Sequence, residues 1–241
     1  MSEYGQYCPV AKGAEVFAQR WTPLLLRELL RGSTHFNDVH RGVPLMSRSM
    51  LSRRMKELTT IGVVARKRGA HGAEYHLTQA GRELAPIVKS LGEWGQRWFR
   101  SRFDADEIDA GVLMWDMRHG VDTAAFRAHV VVQFEFSDQP SAKRRWWFVN
   151  EADEVDLCPT DPGLEVNLYV TTTVSTLTRI WMGDLRAAAA IDRGQLRLAG
   201  PRELRQRFPR WLSTSAYAGI ADARSEVESV VPAEGLEPTT P

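Results

Sequence analysis

Apolar positions recur at spacings of three and four through the first hundred residues and alternate through much of the second half, so the pattern predicts a helical portion followed by a strand-rich one. Val10, Ala14 and Phe17 share one face of a first helix within residues 8–20, with Pro9 suited to its first turn. Trp21-Thr22-Pro23 restarts the pattern, with Thr22 as the expected N-cap, Pro23 as the first helical residue and residues 24–30 as a buried helix ended by Gly32. A short helical segment over residues 34–39 follows, and Gly42-Val43-Pro44 turns the chain into a fourth helix. Ser47 is placed to cap that helix, Leu51, Met55, Leu58 and Ile61 form its apolar stripe, and Gly62 stops it. The period then falls to two: residues 63–68 and 73–77 flank Gly69-Ala70-His71-Gly72 as a hairpin. Thr78 opens a long helix whose apolar face is Leu84, Ile87, Val88, Leu91, Trp94 and Trp98.

The second half reads as an α+β unit. A bridging segment has helical spacing at Ile108, Val112, Leu113 and Trp115. Strands are predicted over 129–136, 144–150, 154–157 and 164–172, then a helix through Leu177, Ile180 and Trp181, a short helix over 185–191, a strand over 195–198 and a helix over 202–208. Strands first and helices after them imply a largely antiparallel sheet covered on one face. The expected boundaries are a helix-rich unit over 1–100, a linker helix over 101–126, the α+β unit over 127–221 and a mobile tail over 222–241, which holds five acidic residues and three prolines.

Charge changes this picture more than composition does. The chain has 241 residues with a formal net charge of +1, yet residues 1–100 carry sixteen Lys or Arg against eight Asp or Glu. The remainder carries fifteen against twenty-two, so a basic half suited to a polyanion is joined to an acidic half with another task. No apolar run approaches a membrane span and the first residues lack a signal-peptide layout, so the expected location is the cytoplasm. Two cysteines, Cys8 and Cys158, form neither a disulfide framework nor a metal spacing. No serine elbow, HExxH, paired CxxC or phosphate loop occurs, so neither an enzymatic activity nor a cofactor or metal is expected.

The basic charge is concentrated on the fourth helix and the hairpin. Ser47, Arg48, Ser49, Ser52, Arg53 and Lys56 lie on the helix face opposite its apolar stripe, and Arg66, Lys67, Arg68 and His71 lie on the hairpin and its tip. Guanidinium forks bond guanine edges or phosphates, and short hydroxyls bond phosphate without holding the helix away from the groove. The order of helix, Gly stop, basic strand and Gly-rich tip is that of a winged helix-turn-helix, whose partner is double-stranded DNA. Trp94 and Trp98 extend past what a small helical core covers, which points either to a two-fold dimer or to packing against the second half of the chain.

Residues 8–98 resemble the HxlR-type winged-helix regulators. The resemblance is carried by Cys8-Pro9-Val10, Arg20-Trp21, the helix ending at Gly32, His35-Phe36-Asn37-Asp38-Val39, Leu51-Ser52-Arg53-Arg54-Met55-Lys56-Glu57-Leu58, Gly62-Val63-Val64 and Tyr75-His76-Leu77-Thr78-Gln79-Ala80-Gly81. It implies a bacterial transcription regulator paired as a homodimer through its first and last helices, here through Val10, Leu91, Trp94 and Trp98. The short wing tip departs from the family's longer reach. In some relatives an N-terminal cysteine senses oxidants, which makes Cys8 a redox candidate; a small residue packed at the helix start is the alternative. The second half resembles the sterol-carrier-protein-like fold through Trp181-Met182-Gly183-Asp184-Leu185, Ala188-Ala189-Ala190-Ile191, residues 194–201 and Phe208-Pro209-Arg210-Trp211-Leu212. That resemblance implies a cleft for a hydrophobic or lipid-like effector, with Trp147, Val149, Leu168, Val170, Leu177, Ile180 and Trp181 as candidate lining; a ligand-free interaction or dimerisation module is the alternative.

Overall fold

The computed structural model describes residues 4–70, 72–99, 109–126, 129–151, 154–221 and 223. In the first half, α1 (Pro9–Phe17), α2 (Thr22–Leu30), α3 (Phe36–Arg41) and α4 (Arg48–Thr60) precede a ribbon of β1 (Val64–Gly69) and β2 (Gly72–Leu77). The helices α5 (Gln79–Arg82) and α6 (Ala85–Phe99) close this unit. Leu25, Leu26, Val39, Leu51, Met55 and Val64 are buried at its centre, the helical positions that the three- and four-residue spacing selects.

Two local expectations fail here for identifiable reasons. Thr22 is not the cap of α2: Trp21 occupies that position in a left-handed conformation (φ 76°), and Thr22 is the first helical residue, fully buried, its amide donating to the Gln19 carbonyl (3.0 Å). The long helix expected after Thr78 is two helices. Thr78 caps only α5, accepting from the Gly81 amide (3.2 Å). Pro86 then prevents continuation, because it has no N–H for the carbonyl one turn earlier and its ring crowds that turn, so α6 starts afresh with Pro86 in its first turn.

The second unit begins earlier than the strands. In α7 (Ala110–Arg118), the segment expected to be a linker, Ala110, Leu113, Met114 and Met117 are buried in the same core as the sheet. Residues 101–108 and nearly all of the acidic tail lie outside the described residues. The sheet contains β3 (Val130–Phe136), β4 (Arg145–Asn150), β5 (Val155–Cys158), β6 (Leu168–Thr172) and β7 (Arg197–Ala199) in the order β5-β4-β3-β6-β7. Only the β3–β6 pair is parallel. The strand expected from residue 164 starts only at Leu168, because Asn167 is held across the chain by Val131: its side-chain oxygen accepts from the Val131 amide (2.8 Å) and its amide donates to the Val131 carbonyl (2.9 Å).

The helices α8 (Val174–Trp181), α9 (Ala187–Asp192) and α10 (Arg202–Leu212) complete the unit. Val132, Phe134, Phe148, Leu168 and Val170 project from one sheet face into the core with Leu177, Ile180, Phe208 and Trp211. Trp211 stacks on Phe126 (5.0 Å between rings), and its indole N–H donates to the buried Asn150 side chain (2.8 Å), fixing α10 on the sheet. The unit is mixed α+β, as the order of periodicities implies.

Candidate DNA-binding surface

Helix α4 is aimed by its buried stripe. Leu51, Met55 and Leu58 anchor one side, so Arg48, Ser49, Ser52, Arg53 and Lys56 are all exposed on the other. Ser47 caps the helix as expected, its hydroxyl accepting from the Met50 amide (3.3 Å). That leaves the remaining free amides of the first turn, with their partial positive charge, at the exposed end of the helix. Arg48 donates to the Asn37 side-chain oxygen (3.0 Å) and lies over the Phe36 ring, so α3 holds its guanidinium at the helix start. Arg53 leans on Glu57 (3.0 Å), whereas Arg54 is drawn to Glu57 (2.8 Å) on the inner side with only 15% of its side chain exposed. Lys56 has no ion pair among the described residues.

The wing stands beside this helix. Its register runs from Val64 opposite Leu77 to Gly69 opposite Gly72, which leaves a two-residue tip. The ribbon is fixed to the start of α3 by the Tyr75 amide, which donates to the Thr34 carbonyl (2.8 Å), and by the bridge between His35 and Glu74. Arg66, Lys67 and Arg68 are exposed on β1 and line a concavity of about 420 Å³ with Gly72 and Ala73. His71 lies outside the described residues. Sequence reasoning missed Leu45, 90% exposed, and Met50, 48% exposed, which project near the start of α4; apolar contact with a thymine methyl is the chemistry such side chains offer. Their signal in sequence was an apolar residue off the stripe.

Residues 16–103, which carry this helix and wing, match the family described as HxlR-like helix-turn-helix. The HTH-type transcriptional regulator YvaP of Bacillus subtilis (strain 168) is 34% identical over 102 residues, which is 41% of this chain and 94% of YvaP. The chain belongs to the HxlR-like helix-turn-helix family. YybR, from the same organism and also named an HTH-type transcriptional regulator, is 34% identical over 92 residues, covering 37% of this chain and 74% of its own. Among solved structures, the redox regulator HypR in its reduced form is 31% identical with a TM-score of 0.36, covering 40% of this chain and 100% of that one.

The HxlR-like unit is joined to the second unit through a buried carboxylate. Glu28 on α2 is fully buried: one oxygen accepts from the Arg27 Nε (3.0 Å), the other from the indole N–H of Trp115 on α7 (2.8 Å). Gly42 makes room for it, since a Cβ there would overlap the Glu28 carboxyl group. Arg31 bonds Asp116 beside it (2.6 Å), and the Arg27 guanidinium is 3.7 Å from the same carboxylate. Burial would lower the Arg27 pKa, but Asp116 and Glu28 outweigh it and hold that guanidinium more firmly charged than usual. His119 donates from Nδ1 to the Trp115 carbonyl (2.9 Å); burial pushes its imidazole below the ordinary value despite that bond.

The last helix of the family unit divides its faces. Val88 enters the first core, and Gly92 faces Tyr217 of the second unit so closely that a Cβ would overlap the phenol ring. Gln96, 5% exposed, shares that face. On the other side Ile87, Leu91 and Trp94 are 48%, 44% and 53% exposed, and Trp98 is half-buried. One face of α6 is therefore packed within the chain, while Trp94, one of the two indoles singled out in the sequence, stays exposed on the other. Val10 on α1 is 77% exposed, and Cys8 is exposed at the N-cap position of that helix.

The seven residues expected to line an effector cleft do not share one. Leu168, Val170, Leu177, Ile180 and Trp181 belong to the packed core. Trp147 and Val149 are buried on the opposite sheet face, because side chains alternate along β4 and Phe148 between them points into that core. The helices that roof the sheet pack Leu177, Ile180, Phe208 and Trp211 against that core face.

Proposed function

We propose that this chain is a cytoplasmic transcriptional regulator that binds operator DNA as a homodimer, and that a hydrophobic small molecule acting through its sterol-carrier-like second unit modulates it. The observation that carries the DNA reading is the cationic surface of α4 and β1, in which Arg48, Arg53, Lys56, Arg66, Lys67 and Arg68 are all exposed. The names of the relatives, transcriptional regulators in each case, favour the same reading. The open apolar face of α6 supports a dimer, because a monomer gains by covering Leu91 and Trp94. Two half-sites also multiply the specificity that one small module provides.

Fluorescence anisotropy with the DNA that flanks the chain's own coding sequence tests the reading directly. Binding whose affinity falls steeply with salt, and sedimentation as a two-chain species, are the expected results. Weak binding equal to that of scrambled DNA would rule out an operator at that locus, and a monomer at micromolar concentration would remove the dimer. A second reading, thiol sensing, is favoured by the exposed Cys8 at the start of α1. A Cys8→Ser variant whose operator affinity resists oxidant, where the native chain loses it, would establish that reading; identical responses would dismiss it.

A further inference from the structure

The cavity walled by α3 on one side and by the second unit on the other is unassigned by the DNA reading. It measures about 250 Å³ and is bounded by Val112, Trp115, Trp146, Leu157 and Pro159 from the second unit and by His40, Arg41 and Pro44 from the helix-turn-helix. Its size is just below the range of about 300–1,000 Å³ typical of ligand sites, which selects a small ring system over a sterol or an acyl chain. The half-buried Trp146 indole in the wall favours a flat aromatic partner, while Trp115 is itself buried. Trp146 is held in place by its own N–H, which donates to the Lys143 carbonyl (2.9 Å).

The polar groups on the lining fix the sign of the charge. Asp109 is engaged within the chain: it accepts from the Gly111 amide (2.8 Å), the Val112 amide (3.2 Å) and Lys143 Nζ (2.7 Å). Burial would raise its pKa, but these bonds outweigh burial and keep it ionised, with Lys143 as its counter-charge. His40 is committed to the Met46 carbonyl (2.9 Å). Arg41 differs, since its one bond among the described residues is a long contact to Asp38 (3.3 Å) and its side chain is 53% exposed. Its guanidinium lies 5.5 Å from the centre of the Trp115 ring, so a cationic ligand in the cavity would meet a positive charge already placed over that indole. A planar fork with open donors beside an aromatic wall fits a carboxylate.

We propose that this cavity binds a small planar aromatic carboxylate, with the ring against Trp146 and the carboxylate on Arg41. The proposal rests on the reading of the chain as an effector-responsive regulator and moves the effector from the interior of the second unit to its junction with the helix-turn-helix. An occupant would touch Pro44 in the turn between α3 and α4, and Trp115, whose N–H reaches Glu28 on α2. Arg48 on α4 is itself bonded to Asn37 on α3, so a displacement of α3 is passed to the DNA-facing helix.

Calorimetry on the full chain with 2-naphthoate and its neutral analogue 2-naphthamide tests this. Saturable binding of one 2-naphthoate per chain is expected, weakened roughly tenfold or more by Arg41→Gln while 2-naphthamide is unaffected by that change. Val112→Trp, which fills the cavity, is expected to abolish both. No saturable 2-naphthoate binding up to about 1 mM, or binding that Arg41→Gln leaves unchanged, would overturn the site. Should Val112→Trp misfold, the charge selectivity of the exposed Arg41→Gln variant decides alone. Operator affinity is measured separately: naphthoate binding without any change in that affinity upholds the site and overturns effector control.

Discussion

Arg53 and Lys56 face outward on α4 for a negative reason, in that the inward positions of that helix are taken by Leu51, Met55 and Leu58. Removing either cation, by Arg53→Ala or Lys56→Ala, is expected to weaken operator binding evenly across sequences and to reduce the slope of log affinity against log salt by about one for each phosphate no longer neutralised. Arg48 is held at the helix start by Asn37; if it reads a base from there, Arg48→Ala is expected to cost about 1–3 kcal/mol at the preferred base and relax preference there. Binding curves on a set of single-base operator variants at several salt concentrations separate the two behaviours, and an unchanged slope for all three variants would contradict the orientation of α4. At the junction, Trp115→Phe keeps the ring but deletes the donor to the fully buried Glu28. An unsatisfied buried acceptor costs about 1–3 kcal/mol, to be read as a lower denaturation midpoint at unchanged slope.

At the scale of elements, α6 shows how one helix serves two purposes. Its Val88, Gly92 and Gln96 side is used within the chain, and its Leu91 and Trp94 side is exposed, the face on which the proposed dimer depends. Gly92→Ala would force the Tyr217 ring aside and is expected to loosen the second unit from the first, measured as faster proteolysis between them. Trp94→Ser, on the open side, is expected to leave thermal stability nearly intact and to shift sedimentation toward monomer. The reverse pattern would mean that the indole is a fold element. Periodicity alone distinguishes neither face from the other, since an i,i+4 apolar stripe is the same pattern whether it meets its own chain or a second copy. By contrast, the α4 stripe, the Ser47 cap and the presence of the hairpin were legible in sequence because each depends on neighbours within a few residues, whereas its register was not: Gly69 and Gly72, expected in the tip, pair with each other.

For the whole molecule, the joint between the two units predicts a pH dependence. Burial first, and then Arg118 and Arg31, hold the His119 imidazole below its ordinary value against the opposing pull of the Trp115 carbonyl and Glu28. The unfolded chain takes up a proton near pH 6.5 while the folded chain resists it, so this contribution to stability is complete above that pH, declines as pH falls below it and levels off under the folded value. The unfolding midpoint of the native chain should therefore drop more than that of His119→Asn between about pH 7.5 and 5.5. Equal drops would show that the imidazole titrates normally.

Within this chain the sequence by itself determined the elements that local physics governs: the recognition helix, the wing, the charge division and the mixed α+β character of the second half. Helical and strand periods, caps and breakers act over a few residues, so their signals survive without a fold. Tertiary structure decided what depends on partners far apart in the chain. It placed Glu28 against Trp115 across 87 positions, gave α7 to the second core and set Trp147 and Val149 on the sheet face opposite the other residues expected to line a cleft. It left a cavity at the joint instead, because complementary surfaces of two separately packed cores meet only where their shapes allow.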